Sequence, residues 1–232
     1  MHDLPDLTSA TIAFDLDGTL VDTSPDLVGT LNAVLLEQGL AALATEKVKG
    51  MVGAGAWALL KRGFAAAGEA LDEGRKDELF GRFIEIYEGR IALESQPFPG
   101  CLAALDALAA AGASLVVCTN KYSKGSDLLL HALGMSGRFA AIIGPDRAPA
   151  AKPDPRHIAA AVTAAGGQLH RCVMVGDSIT DFNAARASGV PVILVPFGYS
   201  DVPAATLAAD AFCETWDQIP AACVRLLAPG GF

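Results

Sequence analysis

Cationic side chains are scarce in this chain. Over 232 residues, 17 Lys and Arg stand against 26 Asp and Glu, a formal charge of −9. Nucleic acid and anionic membrane surfaces bind through clustered Lys and Arg, so neither is an expected partner. Cysteine is sparse as well. Cys101, Cys118, Cys172, Cys213 and Cys223 make an odd count with no Cys-x-x-Cys spacing, so no zinc site or disulfide framework is expected. Buried, reduced thiols in a cytoplasmic protein fit better. The four histidines, His2, His131, His157 and His170, fall outside every motif below and receive no catalytic role. Residues Met1 to Asp6 lack a positive segment leading into an apolar one, so no secretory leader is expected. The nearly apolar stretch 101–119 is interrupted by Asp106, Gly112 and Ser114. It reads as a buried helix followed by a buried strand, not as a membrane span.

What the chain does have is apolar residue content, 52% of the total, ample for a core. Short β-rich runs recur at Thr11–Phe14, Ser114–Cys118, Ala141–Ile143, Cys172–Val175 and Val192–Val195. Continuous apolar runs of this kind suit strands buried on both faces of a parallel sheet. Helical spacing fills the intervals 101–110, 124–134, 155–166 and 179–188. This alternation predicts a doubly wound α/β domain. From Ser24 to Gln96 no strand is evident, and Leu27, Thr30, Leu31, Val34 and Leu35 show helical amphipathicity. Such a block is too long for a simple crossover. It predicts an inserted helical cap, 24–96, within a discontinuous core of 1–23 and 97–232, hinged just after Asp22 and at Pro97–Gly100.

Ligands of open α/β sheets bind at the carboxyl ends of the strands. After the first strand comes Asp15-Leu16-Asp17-Gly18-Thr19, and after the second Thr119-Asn120-Lys121. Lys152-Pro153-Asp154-Pro155 follows the third after a delay, and Gly176-Asp177-Ser178-Ile179-Thr180-Asp181 follows the fourth. Taken singly, each Asp is most simply a cap or turn residue and Lys152 a solvated charge. Gathered at one sheet edge, they make chemistry. Close carboxylates repel, a cation relieves that, and an all-oxygen set including Asp177 suits Mg²⁺. Asp181, one turn on, is placed to orient a water or a neighbouring side chain. A hydroxyl, backbone amides and the Lys152 ammonium make a phosphate cradle.

These four segments, in this order and with a helical block between the first two, resemble the motifs of the haloacid dehalogenase superfamily of phosphohydrolases. The resemblance implies that Asp15 attacks phosphorus to form an aspartyl-phosphate. Asp17 would protonate the leaving alkoxide and then activate water. It implies Mg²⁺ held by Asp15, the Asp17 carbonyl and Asp177, with phosphoryl oxygens held by Thr119, Asn120 and Lys152. Lys121 remains either a solvated charge or a substrate ligand. Within the superfamily, Asp15 to Asp22, Thr119-Asn120-Lys121, Val175 to Ser178 and Val52-Gly53-x-Gly55 resemble phosphatases of phosphoglycolate. The expected partner is therefore a small phosphorylated metabolite, 2-phosphoglycolate first. Another small phosphomonoester, a phosphoglucomutase-like transfer, or a phospho-acceptor signalling domain are the alternatives. A dehalogenase would not need Asp17, and a phosphonatase would need an imine-forming cap lysine such as Lys47, Lys49 or Lys61. Gly53-Ala54-Gly55-Ala56-Trp57-Ala58 matches a dinucleotide fingerprint, a weak signal without a preceding strand. A cap turn packed over Trp57 is the expected reading, with Lys61 and Arg62 solvated or facing a substrate carboxylate. The oligomeric state cannot be read from the sequence.

Overall fold

A computed structural model describes residues 4–53, 55–200 and 202–228. The sheet is built from β1 (Thr11–Phe14), β4 (Ser114–Cys118), β5 (Ala141–Ile143), β6 (Cys172–Gly176), β7 (Val192–Leu194) and β8 (Ala211–Phe212), all paired in parallel. Their spatial order is β5-β4-β1-β6-β7-β8. From β1 the chain winds outward through β4 and β5, then crosses back to β6 and winds the other way. The strand order therefore reverses beside β1, where α/β sheets open a crevice.

Alternation within the strands explains the layers. Ile12, Phe14, Leu115, Val117, Val173 and Val175 point to one face, against α5 (Cys101–Ala110), α6 (Ser123–Ala132) and α9 (Ile219–Leu227). Ala13, Val116, Cys118 and Met174 point to the other, against α7 (Pro155–Ala164) and α8 (Ile179–Ser188). Because both faces are covered, the strands carry no polar alternation. All five cysteines are buried and free. Among the described residues no helix is long and apolar enough to cross a membrane.

The expected elements are present with two adjustments. Helices α6 and α7 stop short of Gly134 and Gly166, whose positive φ of 66° and 70° ends the helical path. The two-residue β8 and α9 were not expected; a strand that short shows no periodicity. Between β1 and α5 lie α1 (Ser24–Glu37), α2 (Thr45–Lys49), α3 (Ala56–Ala66) and α4 (Lys76–Gly89). They bury an apolar cluster of their own around Leu31, Leu35, Leu60 and Phe83. The segment before Gly53 is helix α2, not a strand, so the dinucleotide reading falls; Ala54 and His2 lie outside the described residues.

The chain passes twice between this helical block and the sheet domain, and a buried clasp within the block lies beside those passages. Strands β2 (Val21–Asp22) and β3 (Gln96–Pro97) pair antiparallel. Beside them the fully buried Asp26 in α1 accepts hydrogen bonds from the Glu94 amide at 3.0 Å, the Ser95 amide at 2.9 Å and the Ser95 hydroxyl at 2.7 Å. Truncating such a carboxylate strands buried donors, which costs about 1–3 kcal/mol each before relaxation. Asp26→Ala should lower unfolding stability by about 3 kcal/mol. Urea unfolding at constant pH measures this, as a lower midpoint at unchanged slope.

Candidate active site

The carboxyl ends of β1, β4 and β6 bring the singled-out residues together. Asp15 is mostly buried just past β1, and its Oδ1 accepts no aligned hydrogen bond although Lys152 Nζ lies 3.0 Å away. Lys152 is buried as well and donates to Asp181 Oδ1 at 2.5 Å. The Asp15, Asp177 and Asp181 carboxylates each offer an oxygen within 4.8 Å of the others.

Local structure fixes each group. Ser178 caps α8, and Asp181 in the first turn accepts from the Ser178 amide at 3.1 Å and hydroxyl at 2.6 Å. This capping box holds one Asp181 oxygen and leaves the other for Lys152. Asp154 caps α7 with Pro155 behind it, as the Lys-Pro-Asp-Pro phrase suggested. The Lys152 main chain is held twice. Asn120 accepts from its amide at 2.9 Å and donates to its carbonyl at 3.0 Å, and His157 Nδ1 accepts from the same amide at 3.0 Å. His157 is buried, with Nε2 3.1 Å from the Ile143 carbonyl. Burial, then the nearby Lys152 charge, pushes its pKa down to about 4. A neutral ring with Nε2–H fits both contacts.

Asp177 accepts from the Thr19 hydroxyl at 3.0 Å and the Tyr199 amide at 2.8 Å. Its surroundings admit no added atom: a Cβ on Gly198 would lie 2.0 Å from Asp177 Oδ2, and one on Gly18 2.7 Å from it. Tyr199 carries the contact onward, since its hydroxyl donates to Asp22 Oδ1 at 2.5 Å and accepts from the Ser24 amide at 3.1 Å. Asp17 turns away from the carboxylate cluster. Its Oδ1 accepts from Thr23 at 2.7 Å and Lys121 Nζ at 3.1 Å. Lys121 also lies over the Tyr87 ring, 4.3 Å from its centroid.

Two expectations shift in detail. Lys121 is ion-paired and largely buried, so the solvated alternative falls. The Asn120 side chain is spent on the Lys152 backbone, so it shapes the cradle from behind. His157, Thr19, Thr23 and Tyr199 were missed. For Tyr199 a signal existed: Phe197-Gly198-Tyr199 follows the fifth strand, and the carboxyl-end rule applies there too. Lys61 pairs with Glu73 at 3.5 Å and lies over Trp57, away from this site.

Electrostatics follow from burial. Desolvation raises the Asp15 pKa to about 6, against the opposing pull of Lys152, with Asp181 adding to the rise. Asp177 rises to about 8, through burial first and then the Asp181 and Asp15 charges. For Lys152 burial works to lower the pKa, but Asp15 and Asp181 outweigh it and hold the ammonium firmly charged. Asp15, Asp17, Thr119, Asn120 and Lys121 line a cavity of about 300 Å³ between the sheet domain and the helical block. It can present a carboxylate nucleophile, a second carboxylate and a cation to one bound group.

Residues 12–195 match the haloacid dehalogenase-like hydrolase family. A phosphoglycolate phosphatase from Caulobacter vibrioides is 55% identical over 227 residues, covering 98% of this chain and 96% of the relative. The chain belongs to the haloacid dehalogenase-like hydrolases. A phosphoglycolate phosphatase from Agrobacterium fabrum is 44% identical, with 94% of each chain covered. Among solved structures, a predicted phosphoglycolate phosphatase from Haemophilus somnus superimposes with a TM-score of 0.84 at 29% identity, covering 92% of this chain and 96% of that one. This hydrolase chain thus has the α/β fold of its family along nearly its full length.

A hard divalent cation fits the donor set. Asp15, Asp177 and Asp181 are crowded, oxygen-only and short of positive charge, with Lys152 the ammonium that faces Asp15 and Asp181. Without a cation the repulsion must be relieved by protons. A raised carboxylate pKa means the folded state holds its proton more tightly than the unfolded chain, whose value is near 3.8. These two groups therefore cost stability progressively as pH rises from about 4 to 8. In EDTA, Asp177→Asn should gain stability relative to the unsubstituted protein between pH 5 and pH 8. Paired thermal melts across that range measure it; a constant difference would contradict the assigned repulsion.

Proposed function

We propose that this enzyme is a Mg²⁺-dependent phosphomonoesterase whose substrate is 2-phosphoglycolate. The observation that carries the reading is the Asp15 carboxylate, mostly buried beside the Lys152 ammonium at 3.0 Å, at a cavity shared with Asp17, Thr119 and Lys121. The strong similarity to curated phosphoglycolate phosphatases supports the substrate. The reading takes residues 24–96 as a cap over the core, and the five buried thiols suit a reducing, cytoplasmic setting.

In this reading an Asp15 oxygen attacks phosphorus, and the bond from phosphorus to the glycolate oxygen breaks. Asp17 gives the leaving oxygen its proton, then takes one from the water that hydrolyses the aspartyl-phosphate. Lys152, held by Asp181 and by Asn120 and His157, keeps positive charge beside the phosphoryl group. The Thr119 hydroxyl, whose oxygen accepts from the Lys121 amide at 3.1 Å, donates to a phosphoryl oxygen. Lys121 leaves Asp17 to meet the substrate carboxylate. Asp15, Asp177 and the Asp17 carbonyl would hold Mg²⁺, which would supply charge neutralisation for the phosphoryl group.

Asp15→Asn should lower kcat by about 10³-fold or more with the fold retained. Phosphoglycolate should rank high in a kcat/KM panel of small phosphomonoesters, and free phosphate should be released. Retained turnover by the variant would remove Asp15 as nucleophile; transfer without free phosphate would favour a mutase. Gly198→Ala forces Asp177 aside, so titration calorimetry should show Mg²⁺ bound at least about tenfold more weakly, a loss of about 1.4 kcal/mol.

A further inference from the structure

The cavity exceeds what a two-carbon acid requires. Its volume of about 300 Å³ reaches the lower end of the roughly 300–1,000 Å³ range of sites for drug-sized ligands. Its chemistry is also divided. The sheet domain contributes the polar groups around Asp15. The helical block contributes an apolar wall, chiefly Leu27, Leu59, Phe80, Phe83, Ile84 and Tyr87. Phe80, Phe83, Ile84 and Tyr87 recur at helical spacing on α4 and so form one stripe. Phe83 and Tyr87 are buried in the packing beneath, while Phe80 and Ile84 are only partly covered.

Across the cavity Phe80 meets Tyr122 edge-on, with ring centroids 5.7 Å apart. This aromatic pair extends the apolar surface from α4 to the loop after β4. No cation on the helical block lines the cavity among the described residues. The two lysines that do line it come from the sheet domain and are already paired, Lys121 with Asp17 at 3.1 Å and Lys124 with Glu88 at 2.7 Å. A second anionic group on a substrate is served by Lys121 alone. Beyond it the helical block adds one charged group, Glu88, which is paired with Lys124, and otherwise chiefly carbon.

We infer that this site also hydrolyses phosphomonoesters of apolar alcohols, with the phosphoryl group at Asp15 and the alkyl chain along the Phe80–Ile84 wall. The inference rests on the reading of Asp15 as the attacking carboxylate. The bond from Asp15 oxygen to phosphorus forms and the bond from phosphorus to alkoxide oxygen breaks, the alkoxide leaving as the alcohol with a proton from Asp17. Water then hydrolyses the aspartyl-phosphate to inorganic phosphate. Nothing beyond water is consumed.

A series of n-alkyl phosphates isolates the wall from the chemistry, because leaving-group basicity hardly changes beyond propyl. Burying each added methylene should raise kcat/KM about two- to fourfold until the wall is filled. The experiment measures kcat/KM for propyl, butyl, pentyl and hexyl phosphate and for phosphoglycolate on the same Mg²⁺-loaded enzyme. Inhibition constants of the matching alkyl phosphonates, which are not hydrolysed, are read alongside. The expected result is a rising series, tightening inhibition with chain length, and a flattened slope in Phe80→Ser. The slope is a ratio within one preparation, so partial misfolding of the variant does not imitate it. A flat or falling series in enzyme that turns over phosphoglycolate overturns the inference and leaves the proposed function standing. A rising series without phosphoglycolate turnover supports the inference and overturns the substrate reading instead. Turnover of neither overturns both.

Discussion

Everything at this site depends on the burial of Lys152 between carboxylates. An ammonium and three carboxylates removed from water are costly unless each meets a partner. Lys152 satisfies two of them, lying 3.0 Å from Asp15 and 2.5 Å from Asp181. Three negative charges against one positive leave two uncompensated among Asp15, Asp177, Asp181 and Lys152. Burial first, and then the Asp181 and Asp15 charges, push Asp177 up to about 8, and the remainder matches the charge of one divalent cation. The fold holds the repulsion in place because the groups sit on rigid supports. Asp181 is fixed by a helix cap, Lys152 by Asn120 and His157, and Asp177 by Thr19 and the tight approach of Gly18 and Gly198.

The sheet makes this arrangement possible. In a parallel sheet every strand delivers its carboxyl end to the same edge, so residues far apart in sequence converge without long excursions. Asp15 and Asp177 follow β1 and β6, the neighbours between which the winding reverses. A crevice at such a reversal is where open α/β sheets bind their ligands.

This logic also shows what the sequence reveals and what it hides. Continuous apolar strands and the residues just beyond them are local signals, so Asp15, Thr119, Lys152 and Asp177 stand out in the sequence itself. Pairings are not local. Nothing in Thr119-Asn120-Lys121 says that Asn120 grips the backbone at residue 152, or that Lys121 turns to Asp17 and Tyr87. His157 looks like any helical histidine until its ring is seen wedged between the Lys152 amide and the Ile143 carbonyl. Tyr199 lay within reach of the strand-end rule, but its long reach to Asp22 and Ser24 depends on tertiary packing. The helical block was legible as a gap in the strand pattern. Its clasp through Asp26 was not, because a buried carboxylate in a helix's first turn has the same sequence signature as an exposed one.

The acidity of the chain takes on a different meaning at the cavity. A charge of −9 repels anions at long range, yet such repulsion is screened beyond about 10 Å in ordinary salt. At contact distance the local charges decide. There the sheet domain sets cations and hydrogen-bond donors around Asp15, while the helical block offers chiefly carbon. In the proposed reading the two sides divide recognition between them: the core fixes the phosphoryl group that every substrate shares, and the wall facing it meets the part that differs. A surface built that way can change its substrate through α3 and α4 without disturbing the buried charges, because its apolar residues make none of the hydrogen bonds that hold Lys152 and Asp177 in place.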